Sequence, residues 1–255
     1  MTRCLVFAFL VVVGMGAHGQ GVKSDADLRY GSRTVISVFA DYSNDSSHMF
    51  LGQEQNRKIG GLGVSYARRL KATRMAAWTY EAEVRPLNFV RDPIVSGVAT
   101  LTLQGTPTGI VTLPFSGNFS GPTMANCASG TTVSTGASNG VTYTQTITQQ
   151  CSSRWTYAGG INPLGQRVNF ATRHSVQPYV VANAGFLVSP RDLPVNDSAR
   201  FNFTFEGGGG VEWFQDGRHS IGLDYRVQHL SNAYRGHYNP GIDSGMFRVT
   251  YRVGR

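Results

Sequence analysis

The sequence is poor in the features that mark several large protein classes. It has three cysteines in 255 residues, and their spacing does not suggest a metal site. Charged residues make up only 15% of the chain, with 23 Lys and Arg against 15 Asp and Glu. The cations form no cluster with a stacking surface beside it, so the basic balance does not point to a nucleic-acid partner. Long helix-like patterns are scarce, and no proline- or serine-rich linker divides the chain. Gly207–Gly210 is followed neither by Lys-Ser/Thr nor by a helix pattern, which excludes a phosphate loop. These glycines suit a curved strand or a close neighbour.

Long apolar runs are also missing, except at the start. Arg3 gives a positive beginning, Leu5 to Val13 is unbroken apolar sequence, and Ala17-His18-Gly19 is a small-x-small cleavage site. This is the pattern of a secretory signal peptide over residues 1–19. The run is shorter than the roughly 20 apolar residues that span a bilayer as a helix. Cys4 precedes it and would leave with it, which removes a lipoprotein reading. Cys127 and Cys151 are then the only two cysteines of an exported chain. A disulfide between them is expected, with two free thiols as the alternative.

What the sequence has is Gly, Thr, Tyr and Phe in alternating apolar and polar order, the period of a strand with two different faces. Eight such stretches are read: Thr34 to Tyr42, Ile59 to Arg69, Met75 to Pro86, Arg154 to about Ile161, Val176 to Val188, Arg200 to Phe214, Ile221 to Gln228 and Phe247 to Val253. A soluble sandwich would hide the apolar faces inside. A membrane barrel turns them to lipid and keeps polar side chains within. The signal peptide, strands reaching the roughly 9–11 residues of a tilted spanning strand, and aromatics on the apolar faces favour the barrel. The expectation is an all-β fold: one eight-stranded antiparallel transmembrane β-barrel over residues 20–255, in the outer membrane, with both termini in the periplasm. Glu81, Glu83, Glu206 and Asp224 would pair inside with Arg85, Arg226, Arg248 and Arg252, because a barrel of this size is filled by side chains. Residues 88–153 form a long extracellular insertion between strands three and four. Within it, Gly97–Leu103 and Ile110–Phe115 are read either as a hairpin beyond the membrane or as two further barrel strands.

The chemistry gathers near the end. On the seventh strand Ile221, Leu223, Tyr225 and Val227 share the apolar face, and His229 and Ser231 continue it. Phe247, Val249, Tyr251 and Val253 are the apolar face of the last strand, and counting back puts Gly245 and Asp243 on the same side. Side chains two apart on a strand stand roughly 7 Å from each other, a gap that an imidazole can lean across toward a hydroxyl. A carboxylate from the neighbouring strand could orient that imidazole. This is the nucleophile, base and orienter logic of a serine hydrolase. Taken singly, each residue has a plainer reading: His-x-Ser as a surface hydrogen-bonded pair, Asn239-Pro240-Gly241 as turn chemistry, and Asp243 as a loop acid. Joint placement at one strand end lifts them above it.

His229-Leu230-Ser231-Asn232, then Asn239-Pro240-Gly241-Ile242-Asp243, then a short closing strand, resembles the lipid A 3-O-deacylase (PagL-type, acyloxyacyl hydrolase) family over about residues 200–253. The resemblance implies an eight-stranded outer-membrane barrel that hydrolyses an ester-linked acyl chain of lipopolysaccharide. It makes Ser231 the nucleophile, His229 the base, Asp243 the acidic member, and Asn232 the supporting asparagine beside the serine. In such a reaction Asn232 and nearby backbone N–H groups would stabilise the oxyanion. The best-known members carry glutamate where this chain has Asp243. The implied partner is lipid A in the outer leaflet, and no metal or organic cofactor is implied. Arg191, Arg235 and His237 fall in outer loops near the site, as solvated charge or as contacts to lipid A phosphates. The competing readings are a non-enzymatic barrel serving adhesion or envelope structure, and an esterase acting on phospholipid.

Overall fold

In the computed structural model of the protein, residues 30–43, 45–46, 50–105, 113–124, 126–138 and 140–255 are described. The expected signal peptide, residues 1–19, lies outside them. Eight strands close a ring: β1 (Thr34–Ser43), β2 (Lys58–Ala72), β3 (Ala76–Gly105), β6 (Val141–Phe170), β7 (Val176–Leu193), β8 (Ala199–Phe214), β9 (His219–Ser231) and β10 (Ile242–Gly254). Each pairs antiparallel with its neighbours, and β10 returns to β1 with Val35 opposite Gly254 and Tyr42 opposite Phe247. Closure leaves the ring without a free edge.

The two faces are inverted relative to a soluble protein. On β10 Val249 is 53% exposed and Arg248 is 1% exposed; on β9 Leu223 is 58% exposed and Asp224 is 3% exposed. The outer surface carries Ile36, Val38, Leu62, Trp78, Val84, Trp155, Val211, Trp213 and Phe247. Only a bilayer makes that arrangement favourable, so the ring is a membrane-spanning barrel. Its interior holds a buried ion-pair network. Arg248 reaches Glu83 at 2.5 Å, Asp41 at 3.0 Å and Glu206 at 3.2 Å. Arg226 reaches Asp224 at 2.6 Å and Glu83 at 3.3 Å. Arg85 pairs with Asp41 and Glu206, and Arg252 with Glu81 and Glu212. Each of these arginines has carboxylate partners on at least two strands, which offsets the cost of taking its charge out of water.

Toward one end the interior changes character. Ile59, Val90, Ala158, Leu187, Leu193, Leu230, Ile242 and Met246 make a buried apolar cluster. Among the described residues, the connections at this end include residues 50–57 and 232–241, whereas the strands at the opposite end are joined by short turns at 73–75, 171–175 and 215–218. Long loops mark the extracellular side of such barrels and short turns the periplasmic side.

The insertion is built from the barrel strands themselves. The strands expected at Met75–Pro86 and Arg154–Ile161 run on to 30 residues each. Their pairing continues from Ala76 opposite Phe170 out to Gly105 opposite Val141. The stretch Gly97–Leu103 is therefore the outward half of β3. It folds back as a hairpin with β4 (Leu113–Pro122), Leu103 opposite Leu113. On the other side β5 (Gly130–Ser138) pairs with the outward half of β6. The result is a four-stranded extension above an eight-stranded barrel, and β4 and β5 do not join the ring. The sixth strand outruns its expected end because Asn162-Pro163 sits at a register shift between Ile161 and Leu164; a bulge keeps the ladder intact where a proline would otherwise stop it. Cys127 and Cys151 are joined by a disulfide, Cα atoms 5.9 Å apart, which ties the β4–β5 connection to β6.

Candidate active site at the outer rim

The site lies on the outer wall where β9 and β10 meet the extracellular loops. Asp243 is the direct cross-strand partner of His229, and on the other side His229 faces Phe205 and Ser231 faces Phe203 of β8. Register thus puts the imidazole, the hydroxyl and the carboxylate on the same, outward, face. Behind the wall, Leu230 and Ile242 are packed into the buried apolar cluster. That packing fixes the strand ends from which the polar groups project.

His229 Nδ1 lies 2.6 Å from Asp243 Oδ1. The second carboxylate oxygen, Oδ2, accepts N–H bonds from Phe50 at 2.6 Å, Leu51 at 2.9 Å and Gly52 at 2.9 Å. Three backbone donors and one imidazole hold the carboxylate in its ionised form and in a single orientation. This cradle belongs to the β1–β2 loop, which lies against the start of β10. Gln53 N–H donates to Pro240 O at 2.7 Å and Glu54 N–H to Gly241 O at 3.2 Å. Glycine is required where the loop and strand meet: a Cβ on Gly52 would stand 2.4 Å from Asp243 N and 2.9 Å from Asp243 Cγ. Gly241 meets the loop from the other side with a φ of +65°, a conformation most side chains disfavour.

Ser231 is held differently. Its Oγ donates to Asn239 Oδ1 at 3.0 Å, and the same oxygen accepts the Asn232 N–H at 3.0 Å. Ala233 N–H donates back to Ser231 Oγ at 3.2 Å. Ala233 and Tyr234 adopt positive φ of 51° and 59°, strained for residues other than glycine, and this tight reversal is what aims the Ala233 N–H at the serine. The Ser231 hydroxyl therefore points to Asn239, not to His229.

Asn232 is fully buried. Its Nδ2 donates to Tyr238 O at 2.6 Å, and its Oδ1 accepts the Tyr234 N–H at 2.8 Å. Both side-chain bonds go to the backbone of the loop and neither to the serine. Two contributors do not stand out in the sequence as site residues: Asn239, which reads as turn chemistry, and the Phe50-Leu51-Gly52 amides, inside a stretch that reads as a polar loop. The Asn-Pro-Gly triplet next to the acid is the available signal for the first.

Arg235 lies over the rings of Phe201 at 5.3 Å and Phe203 at 6.0 Å, beside the serine's strand partner. Arg191 lies within β7, and His237 N–H donates to Asp197 O at 2.9 Å. Among the described residues no group of three His, Cys, Asp or Glu side chains could hold a metal ion.

A family model described as lipid A 3-O-deacylase (PagL) matches residues 124–252, about half of the chain. Comparison with curated proteins finds no match. Among solved structures, the chain is similar to the outer membrane enzyme PagL, with 16% identity over 86% of this chain and 99% of that one, and a TM-score of 0.47. It is also similar to Neisserial surface protein A, with 10% identity over 88% and 98% and a TM-score of 0.41. OprG from Pseudomonas aeruginosa matches with 9% identity over 89% and 98% and a TM-score of 0.39.

Proposed function

Because the chain belongs to the lipid A 3-O-deacylase (PagL) family, we propose that it is a serine esterase of the outer membrane that removes the acyl chain ester-linked at the 3-O position of lipid A. The observation that carries this reading is the outward-facing His229–Asp243 pair with Ser231 two residues along the same strand face. A hydrolase acting on a water-borne ester gains nothing from a site on the lipid side of a barrel wall. One whose substrate is a membrane lipid needs that placement.

In the reaction, Ser231 Oγ attacks the ester carbonyl carbon. With Nδ1 of His229 engaged by Asp243, Nε2 is the nitrogen that takes the serine proton, once the side chain turns from Asn239 toward the imidazole. The Ala233 N–H, 3.2 Å from the nucleophile's oxygen, is a backbone donor within reach of the developing oxyanion. His229 then protonates the leaving sugar oxygen, leaving an acyl-serine. Water, deprotonated by His229, attacks that acyl carbon; the bond to Ser231 Oγ breaks, His229 returns the proton to that oxygen, and the fatty acid is released. Asp243 keeps the imidazole in the required tautomer and stabilises its charged form throughout. The acyl chains lie along Phe203 and Phe205, and Arg235 is the cation placed to meet a lipid A phosphate.

Purified protein in detergent, given lipopolysaccharide and phospholipid in separate assays, tests the substrate. Release of a hydroxy fatty acid from lipopolysaccharide alone, lost in Ser231→Ala, supports the proposal. Hydrolysis of phospholipid in its place makes the protein a phospholipid esterase, and inertness toward both makes it a non-enzymatic barrel.

A further inference from the structure

Beside the cradle that holds Asp243 lies a second buried constellation, which the reaction as described does not use. Glu54, Arg57 and Asp92 are each fully buried. Arg57 pairs with Glu54, and its Nε lies 3.5 Å from Asp92 Oδ1. Its guanidinium also donates to three backbone carbonyls on three separate segments: Nη1 to Gln55 O at 2.9 Å, and Nη2 to Thr123 O at 2.8 Å and Pro194 O at 3.3 Å. These belong to the β1–β2 loop, the segment after β4, and the β7–β8 loop. Arg154 and Thr156 of β6 face Asp92 from the far side.

The neighbourhood is braced in the same sense. Ser46 Oγ donates to Glu54 O at 3.0 Å and accepts Arg57 N–H at 3.1 Å, and Gln55 N–H donates to Met124 O at 3.0 Å. Residue 54 follows the cradle amides of residues 50–52 almost directly. The chain between the Arg57 clamp and Gly52 therefore has little freedom, being pinned also to Pro240 O and Gly241 O. A buried arginine that joins three segments through carbonyls costs desolvation that an apolar residue would avoid. What it secures is one position of the loop.

We propose that Arg57, held by Glu54 and Asp92, is a positioning residue: it locks the β1–β2 loop so that the Phe50, Leu51 and Gly52 amides hold the Asp243 carboxylate against His229. Through Thr123 O and Met124 O the same clamp couples the base of the extracellular extension to the catalytic acid. The inference rests on the reading of Asp243 as the acidic member of the triad.

The test is a double-mutant cycle on purified, folded barrel with lipopolysaccharide as substrate. Single variants Arg57→Ala, Arg57→Lys and Asp243→Asn are compared with the double variant Arg57→Ala/Asp243→Asn. The expected result is that Arg57→Ala lowers kcat about tenfold or more with KM within about twofold, because misplacement of a positioned group is felt in the transition state. The acid limb of its pH–rate profile moves toward that of Asp243→Asn. In the Asp243→Asn background the arginine substitution costs nothing further, since both act through the same carboxylate. Arg57→Lys, which cannot reach three carbonyls at once, stays impaired. If Arg57→Ala is too unstable to purify, Asp92→Asn takes its place in the cycle with the same expected non-additivity. Full additivity, or a normal kcat and pH profile in Arg57→Ala while Asp243→Asn is impaired, overturns the inference alone. An unimpaired Asp243→Asn overturns the reading of the triad and the inference with it.

Discussion

The imidazole of His229 and the carboxylate of Asp243 face each other directly across the β9–β10 ladder, with 2.6 Å between Nδ1 and Oδ1. An antiparallel pair two strands wide is enough to set this distance, because both side chains leave the same face of the sheet at the same height. The aspartate reaches Nδ1 with one oxygen, and the β1–β2 loop meets the other. From this relationship, Asp243→Asn is expected to fold normally and to lose activity on the order of a thousandfold in kcat, since an amide there favours the wrong tautomer of His229. Steady-state hydrolysis of lipopolysaccharide measures it; a loss below tenfold would show that the imidazole is oriented by something else.

Gly52 is the second prediction. A methyl group there enters the space of the Asp243 backbone and Cγ, at 2.4 and 2.9 Å. Gly52→Ala should push the loop away, withdraw its N–H donors from Oδ2 and reduce kcat about tenfold or more, while the barrel, built from other interactions, keeps its stability. Gel mobility of unheated samples reports folding beside the assay.

For Arg235, poised over Phe201 and Phe203, the expectation concerns binding. Arg235→Ala should raise KM for lipopolysaccharide about tenfold and leave kcat nearly unchanged, because an interaction made equally with substrate and transition state affects binding alone. A fall in kcat with constant KM would assign Arg235 to the chemical step.

Burial pushes the Glu54 carboxyl up to about 7 from an ordinary 4.5, against the opposing pull of the Arg57 charge. The folded protein therefore keeps a proton on Glu54 that the unfolded chain has already released, and unfolding sheds it. Stability from this group is complete below about 4.5 and declines as pH rises toward 7. Glu54→Gln, fixed in the neutral form, should gain on wild type between pH 5 and pH 8 in the urea midpoint for unfolding. A difference that is constant across this range would show that the carboxyl titrates normally.

Much of this can be read along the chain. Period-two alternation locates the barrel strands, and parity alone puts His229, Ser231 and Asp243 on one face. The inversion of the faces follows from an exported chain whose apolar stripes carry aromatics. What cannot be read is what lies far apart in sequence. Gly52 meets Asp243 because β1 closes the ring against β10, and that hydrogen bond joins residues 191 positions apart. Its loop carries no pattern of its own, since backbone amides are supplied by any residue type. Asn239 is visible as a turn residue, but nothing local says that its side chain turns back to Ser231. The form of the extension is hidden because β3 and β6 run from the ring into it as single strands paired with each other throughout, and only the change of their other partners, from β2 to β4 and from β7 to β5, shows where the ring ends and the extension begins.

The most direct test of the account is mass spectrometry of lipid A from Gram-negative cells expressing this chain, wild type beside Ser231→Ala at matched outer-membrane levels. The account predicts that one ester-linked hydroxyacyl chain is missing from lipid A in the wild type only. Intact lipid A in both, with correctly folded barrel in the outer membrane and detergent extracts equally inert toward lipopolysaccharide, would contradict it.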